Sequence, residues 1–163
     1  MAAGKTTVAR LLASRFERGV HLEGDVFRRF VASGRVEMTP DPSREALDQL
    51  HLRYRLAAAA ADGYFRAGFG VALEDVVIGP SLDEYRAMIR GRPCHLVVLL
   101  PKIDAVVARE ASRPEKGYTR GWTVERHYAD FVAATPRAGL WVDSTEQTPE
   151  ETVDEILRAV PQS

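Results

Sequence analysis

The chain opens Met1-Ala2-Ala3-Gly4-Lys5-Thr6-Thr7 and runs directly into Val8-Ala9-Arg10-Leu11-Leu12. Gly4-Lys5-Thr6 is the back half of the phosphate-binding pattern G-x-x-x-x-G-K-[ST]. Each residue type has a physical reason to be there. Backbone N–H groups of a glycine-bearing turn and of a helix N-terminus point at phosphate oxygens, and the helix dipole favours their charge. In such a loop Ala3, Gly4 and Thr7 line the cradle, Lys5 reaches the β- and γ-phosphates of a nucleotide, and the Thr6 hydroxyl holds Mg²⁺. A G-K-T triplet is common by chance. The apolar positions Val8, Leu11 and Leu12 lift it above chance, because they supply the helix that must start behind the loop.

The pattern is incomplete at its front. Counting back from Gly4, its first glycine would fall two residues before Met1, and the strand that should lead into the loop is missing. The expectation is that the natural protein starts further upstream. The other reading is a broken gene product that binds nucleotide poorly.

At 163 residues the chain is expected to form one domain, long enough to bury most of its apolar surface. Its 22 basic and 23 acidic residues nearly cancel, which argues against a strongly electrostatic nucleic-acid binder. The single Cys94 excludes an internal disulfide, and with no secretory signal a cytoplasmic location is the default. No apolar run approaches the roughly 20 residues of a membrane span. The expected partners are therefore neither nucleic acid nor membrane.

Strand and helix signals alternate along the chain. A helix from Thr6 to about Arg18 stops at Gly19, and a short strand, Val20–Glu23, ends at Gly24-Asp25. Val26 to Ser33 reads as a short helix and 34–42 as a loop. Ser43 then caps a long helix that runs to about Arg66. Val71–Leu73 is a strand ending in Glu74-Asp75, with Val76–Ile78 continuing it. A helix covers Asp83–Ile89, and His95–Leu100 has the unbroken apolar character of a parallel strand buried on both faces. Ile103 to about Ser112 is helix, 113–121 is polar and basic, and Thr123 to about Ala133 is helix. Gly139–Asp143 is the last strand, and Thr148 with Pro149 starts the last helix. This alternation implies a parallel sheet with helices on both faces.

Four clusters fall at the carboxyl ends of strands, where ligands bind in α/β sheets. The phosphate loop is the first. The second is Glu23-Gly24-Asp25: Asp25 is the candidate base that takes a proton from an acceptor hydroxyl, and Glu23 a lesser metal-shell candidate. The bland alternative makes Asp25 only the N-cap of the helix at Val26. The third is Leu73-Glu74-Asp75, in which Asp75 would hold the Mg²⁺ water shell or contact substrate; otherwise it is an ordinary strand-end turn. The fourth holds Arg109, Arg113, Lys116 and Arg120. Arg109 and Arg113, four residues apart, are expected to share a helix face and to stabilise a transferring phosphoryl group. Arg28, Arg29, Tyr54 and Arg55 flank the presumed acceptor pocket, with Arg28 the substrate contact among them.

Other chemistry finds less support. His21, His51, His95 and His127 lack metal-ligand spacing. Cys94 has no evident activating partner. Ser14, Ser33 and Ser81 lack the G-x-S-x-G context of a hydrolase nucleophile.

With these clusters in view, the chain resembles small P-loop kinases of the group that includes chloramphenicol phosphotransferase and gluconate-kinase-like proteins. The resemblance runs from AAGKTT through HLEGD, ALEDV and the arginine-bearing segment to LWVDST. It implies an α/β fold of the three-layer, nucleoside-monophosphate-kinase type, with a five-stranded parallel sheet of order 2-3-1-4-5 whose central first strand is absent here. It also implies ATP and Mg²⁺, handled by Lys5 and Thr6; Asp25 as activator of the acceptor hydroxyl; a lid at about 109–121 whose Arg109 and Arg113 clamp phosphates; and an adenine-side loop containing Ser144. The expected reaction moves the γ-phosphoryl group of ATP to a hydroxyl of a small molecule, antibiotic or sugar-like. A nucleoside or nucleotide kinase is the second reading, and a nucleotide-binding or inactive module the third.

Overall fold

Helix α1 (Lys5–Ala13) carries two apolar faces, and the molecule is built around both. The computed structural model describes residues 2–114 and 121–160. On one face Ala9 and Ala13 pack on Ala72; on the other Val8 meets Val142, Val153 and Ile156. Alanine on the first face lets the helix lie close to the backbone beneath it, while Val8 and its neighbours fill a wider gap.

The remaining elements follow in chain order: β1 (Gly19–Glu23), α2 (Val26–Arg29), α3 (Arg44–Arg66), β2 (Gly70–Glu74), α4 (Ser81–Met88), β3 (Val97–Leu99), α5 (Ile103–Ser112), α6 (Val124–Ala134), β4 (Leu140–Val142) and α7 (Pro149–Ala159). Both strand pairs among the described residues are parallel, as the alternation of strands and helices predicts. β1 lies beside β2 with Gly19 opposite Gly70 and Glu23 opposite Glu74, and β3 lies beside β4 with Val97 opposite Leu140. Among the described residues no ladder joins the two pairs.

Several expected boundaries move. Helix α1 ends at Ala13 rather than near Arg18, and α2 ends at Arg29 rather than Ser33. Val76–Ile78 does not extend β2. It leaves the ladder, and Val77 joins a core with Tyr54, Ala57, Ala58, Leu82 and Tyr85. The apolar run His95–Leu100 contributes only three residues to β3. The caps are where local chemistry puts them: Ser43 accepts from the amide of Ala46, and Thr148 and Glu151 form a reciprocal capping box at the start of α7. No helix among the described residues is long and apolar enough to cross a membrane.

Candidate active site

The loop before α1 has the backbone of an anion cradle. Ala2 (φ 54°) and Gly4 (φ 88°) are both left-handed, with Ala3 between them in ordinary geometry. Gly4 occupies the N-cap position, where only glycine holds this φ without strain, and no side chain caps the helix. The first-turn N–H groups, which a helix cannot satisfy internally, thus stay available at the wall of a cleft of about 1200 Å³ lined by residues 2–8. The cradle suits phosphate.

The two β-strand ends deliver carboxylates to the same cleft. Because Glu23 stands opposite Glu74 and the Gly24 amide continues the ladder to the Glu74 carbonyl at 2.8 Å, the segments 23–25 and 74–75 end side by side. Glu74 turns toward α1. Its Oε1 accepts from the Thr6 hydroxyl at 2.7 Å, and its carboxylate lies 3.9 Å from Lys5 Nζ and 3.9 Å from His21 Nε2. Successive side chains at a strand end point to opposite faces, so Asp75 turns the other way, toward α3. Asp75, expected in the Mg²⁺ water shell or in contact with substrate, thus lies apart from Thr6, and the carboxylate that meets Thr6 is that of Glu74. Glu23 pairs with Arg29 at 3.3 Å.

Asp25 does not act as a side-chain cap of α2, because its carboxylate makes no cap hydrogen bond. It forms ion pairs instead. Arg28 reaches it with Nε at 3.2 Å and Nη2 at 3.4 Å, and Arg53 Nη1 reaches Oδ1 at 2.9 Å. Arg53 also donates from Nη2 to Asp75 Oδ1 at 2.9 Å, and its guanidinium lies over the Tyr54 ring, 5.4 Å from the centroid. Arg28 continues outward to Glu37, and Glu37 to Arg35 at 2.9 Å. Burial works against the Arg28 cation, but the bonds and charges of Asp25 and Glu37 outweigh it and raise its pKa.

Asp75 is nearly enclosed, with 3% of its side chain exposed. Burial pushes its pKa up to about 6, against the opposing pull of Arg53 and of the Val76 N–H. Its Oδ2 makes no hydrogen bond of good geometry among the described residues, although the Tyr85 hydroxyl interacts with this carboxylate. Gly24 lies against it so closely that a β-carbon there would fall 2.1 Å from that oxygen.

Arg53 escaped the sequence reading, which took the neighbouring Tyr54 and Arg55. The signal was present. Ala46, Leu50, Arg53 and Ala57 follow the spacing of an inward helical stripe, and an arginine on such a stripe needs a carboxylate to meet it.

At the other end of the cleft Arg109 donates to the carbonyls of Ser144 (2.8 Å) and Thr145 (3.4 Å). Arg109, Arg113 and Ser144 all line the cleft. Arg113 does not share the helix with Arg109 as the spacing suggests; it lies just beyond the last turn of α5, in extended backbone, and pairs with Glu110 at 3.7 Å. Lys116 and Arg120 lie outside the described residues. Trp122 and His127, which the sequence reading did not bring to the site, line the cleft edge-to-face with centroids 5.2 Å apart. Burial, above all, lowers the His127 pKa to about 4. Among the described residues no three or more His, Cys, Asp or Glu side chains are grouped to hold a metal.

No family model matches the sequence, and no curated protein does either. Solved structures do. A sugar kinase from Janibacter sp., in an unliganded structure, matches with a TM-score of 0.66 at 18% identity, over 97% of this chain and 88% of its own. A candidate kinase from Chloroflexus aurantiacus matches with a TM-score of 0.59 at 18% identity, over 96% of this chain and 89% of its own. The fold is theirs. At this level of identity the likeness establishes a kinase-like α/β architecture and leaves the chemistry to be argued from the residues.

Proposed function

We propose that this protein transfers the γ-phosphoryl group of ATP to a hydroxyl of a small molecule. The observation that carries the reading is one cleft lined both by the glycine-bearing start of α1 and by the ion-paired Asp25. Bound ATP would supply the phosphoryl group, and Mg²⁺ would neutralise charge across its phosphates.

The chain's own residues do the rest. The amides of Ala3, Gly4 and Thr7 and the first turn of α1 hold the phosphates, with Lys5 as the adjoining cation. Thr6 and Glu74 would form the protein side of a Mg²⁺ shell, a hydroxyl and a carboxylate being the hard oxygen donors that ion takes. Arg109 and Arg113 offer positive charge to the transferring group, and Ser144 lies on the side of the base. Asp25 accepts the proton of the acceptor hydroxyl. Arg28 and Arg53 hold its carboxylate in place, and Oδ2, whose one bond among the described residues is the long contact to Arg28, is the oxygen that would take that proton. The acceptor oxygen forms its bond to the γ-phosphorus as the bond to the β–γ bridging oxygen breaks, and that electron pair leaves with ADP.

The test is phosphorus NMR of the protein with Mg²⁺-ATP and a panel of hydroxyl compounds. A new phosphomonoester signal that disappears with Lys5→Ala and falls at least a hundredfold in rate with Asp25→Asn supports the reading. No transfer and no nucleotide-dependent thermal shift overturns it.

A further inference from the structure

We infer that the acceptor is an uncharged, hydroxyl-rich molecule, because the acceptor wall of the cleft is a chain of alternating charges that neutralises itself. This rests on the phosphotransferase reading and deepens it.

The chain runs Arg35, Glu37, Arg28, Asp25, Arg53, Asp75, each in an ion pair with the next. All six residues line the cleft. Three guanidinium groups meet three carboxylates, so the wall carries no net charge to offer. An anionic acceptor, whether a sugar acid or a nucleoside monophosphate, must leave water and needs a cation that is not already paired. Among the described residues this wall has none. The opposite end of the cleft differs: among the described residues Arg109 bonds neutral carbonyls, and no carboxylate pairs with it. Unspent positive charge is thus kept at the phosphate end.

A hydroxyl group suits the neutral wall. It donates one hydrogen bond and accepts two, so each can bond a carboxylate oxygen and a guanidinium N–H at once. Alternating charges present those two partners side by side, at fixed spacing and already held in place. Met38, Leu47, Leu50, Val76 and Ile78 line the same region and supply apolar surface for the carbon skeleton. Carbohydrates and their glycosides have this pattern of hydroxyls over a carbon framework.

The experiment measures phosphorylation of uncharged aldoses, ketoses, polyols and glycosides beside matched sugar acids and nucleoside monophosphates. It uses the wild type and two charge variants, with a Mg²⁺-ATP thermal shift run in parallel. The wild type is expected to take an uncharged acceptor with kcat/KM at least tenfold above its matched acid. Glu37→Gln leaves the wall one positive charge in excess, and should shift that ratio toward the acid by tenfold or more. Arg35→Gln leaves it negative, and should not.

A wild type that prefers a sugar acid or a nucleotide overturns the inference. So does a ratio that Glu37→Gln leaves unchanged, or an ATP-dependent thermal shift with no uncharged compound phosphorylated. Absence of the thermal shift itself strikes the phosphotransferase reading and not only its acceptor.

Discussion

The hydroxyl of Thr6 donates to Oε1 of Glu74 at 2.7 Å, which ties the first turn of α1 to the end of β2. It also identifies the carboxylate that a metal at Thr6 would meet. Glu74→Gln keeps an oxygen for Thr6 but removes the charge. A tenfold loss of Mg²⁺-ATP affinity would lower the stabilisation seen at saturating ligand by about 1.4 kcal/mol. That loss is expected in the presence of Mg²⁺ and not with ATP in excess chelator. Thermal denaturation with and without the metal checks it; equal losses in both would remove Glu74 from the metal shell.

Asp75 gives stability a readable pH dependence. Its folded pKa of about 6 lies above the ordinary 3.8, so between these values the folded state holds a proton that the unfolded chain has released. Stability contributed by this group is therefore full below about pH 4 and falls as pH rises toward 6, by roughly 3 kcal/mol in all. Asp75→Asn cannot titrate. Urea unfolding of both proteins across this range should show the wild type losing about that much stability relative to the variant as pH rises. A constant difference between the two would mean that Asp75 ionises in the fold as it does in water.

The parts of this molecule that were legible in sequence are those set by local chemistry. Gly4-Lys5-Thr6 before an apolar helix, Asp25 and Asp75 after strands, and Ser43 and Thr148 as caps all rest on rules that act within a few residues. The parallel pairing followed from the alternation of strands and helices. What was hidden depends on direction in space. Glu74 and Asp75 are neighbours in sequence, and only the facing of the strand end shows that one turns to Thr6 and the other to Arg53. Arg113 looked like a helical partner of Arg109 until the backbone was seen to leave the helix at Ser112. Trp122 and His127 reach the cleft through tertiary packing that no local pattern encodes.

The start of α7 offers a purely structural check. The Thr148 hydroxyl accepts from the amide of Glu151 at 3.2 Å, and the Glu151 carboxylate accepts from the Thr148 amide at 2.8 Å. Thr148→Ala removes the side-chain half of this box and should cost about 1 kcal/mol. Because α7 packs Val153 and Ile156 against Val8 of α1, the loss should register in global unfolding by urea and not only as local fraying. An unchanged unfolding midpoint would show that the helix end is held by packing alone.

Gly24 tests the closeness of the two strand ends. Its backbone amide bonds the Glu74 carbonyl while its α-carbon faces the Asp75 carboxylate, so both the ladder and the ion-paired wall of the cleft depend on it. In Gly24→Ala the new methyl would stand 2.1 Å from Asp75 Oδ2 and 2.7 Å from its carboxyl carbon, distances that no packed pair of atoms keeps. Asp75 cannot swing away freely, since Arg53 and the Val76 amide hold its other oxygen. The strain should lower stability by about 1–3 kcal/mol, the usual range for overpacking an enclosed site. Asp75→Ala removes the colliding atoms from the other side. If the clash is the cause, Gly24→Ala should cost much less in the Asp75→Ala background than alone, and a double-mutant cycle in urea reads that difference directly. Additive costs would place the damage in the strand backbone and not in the contact between these two residues.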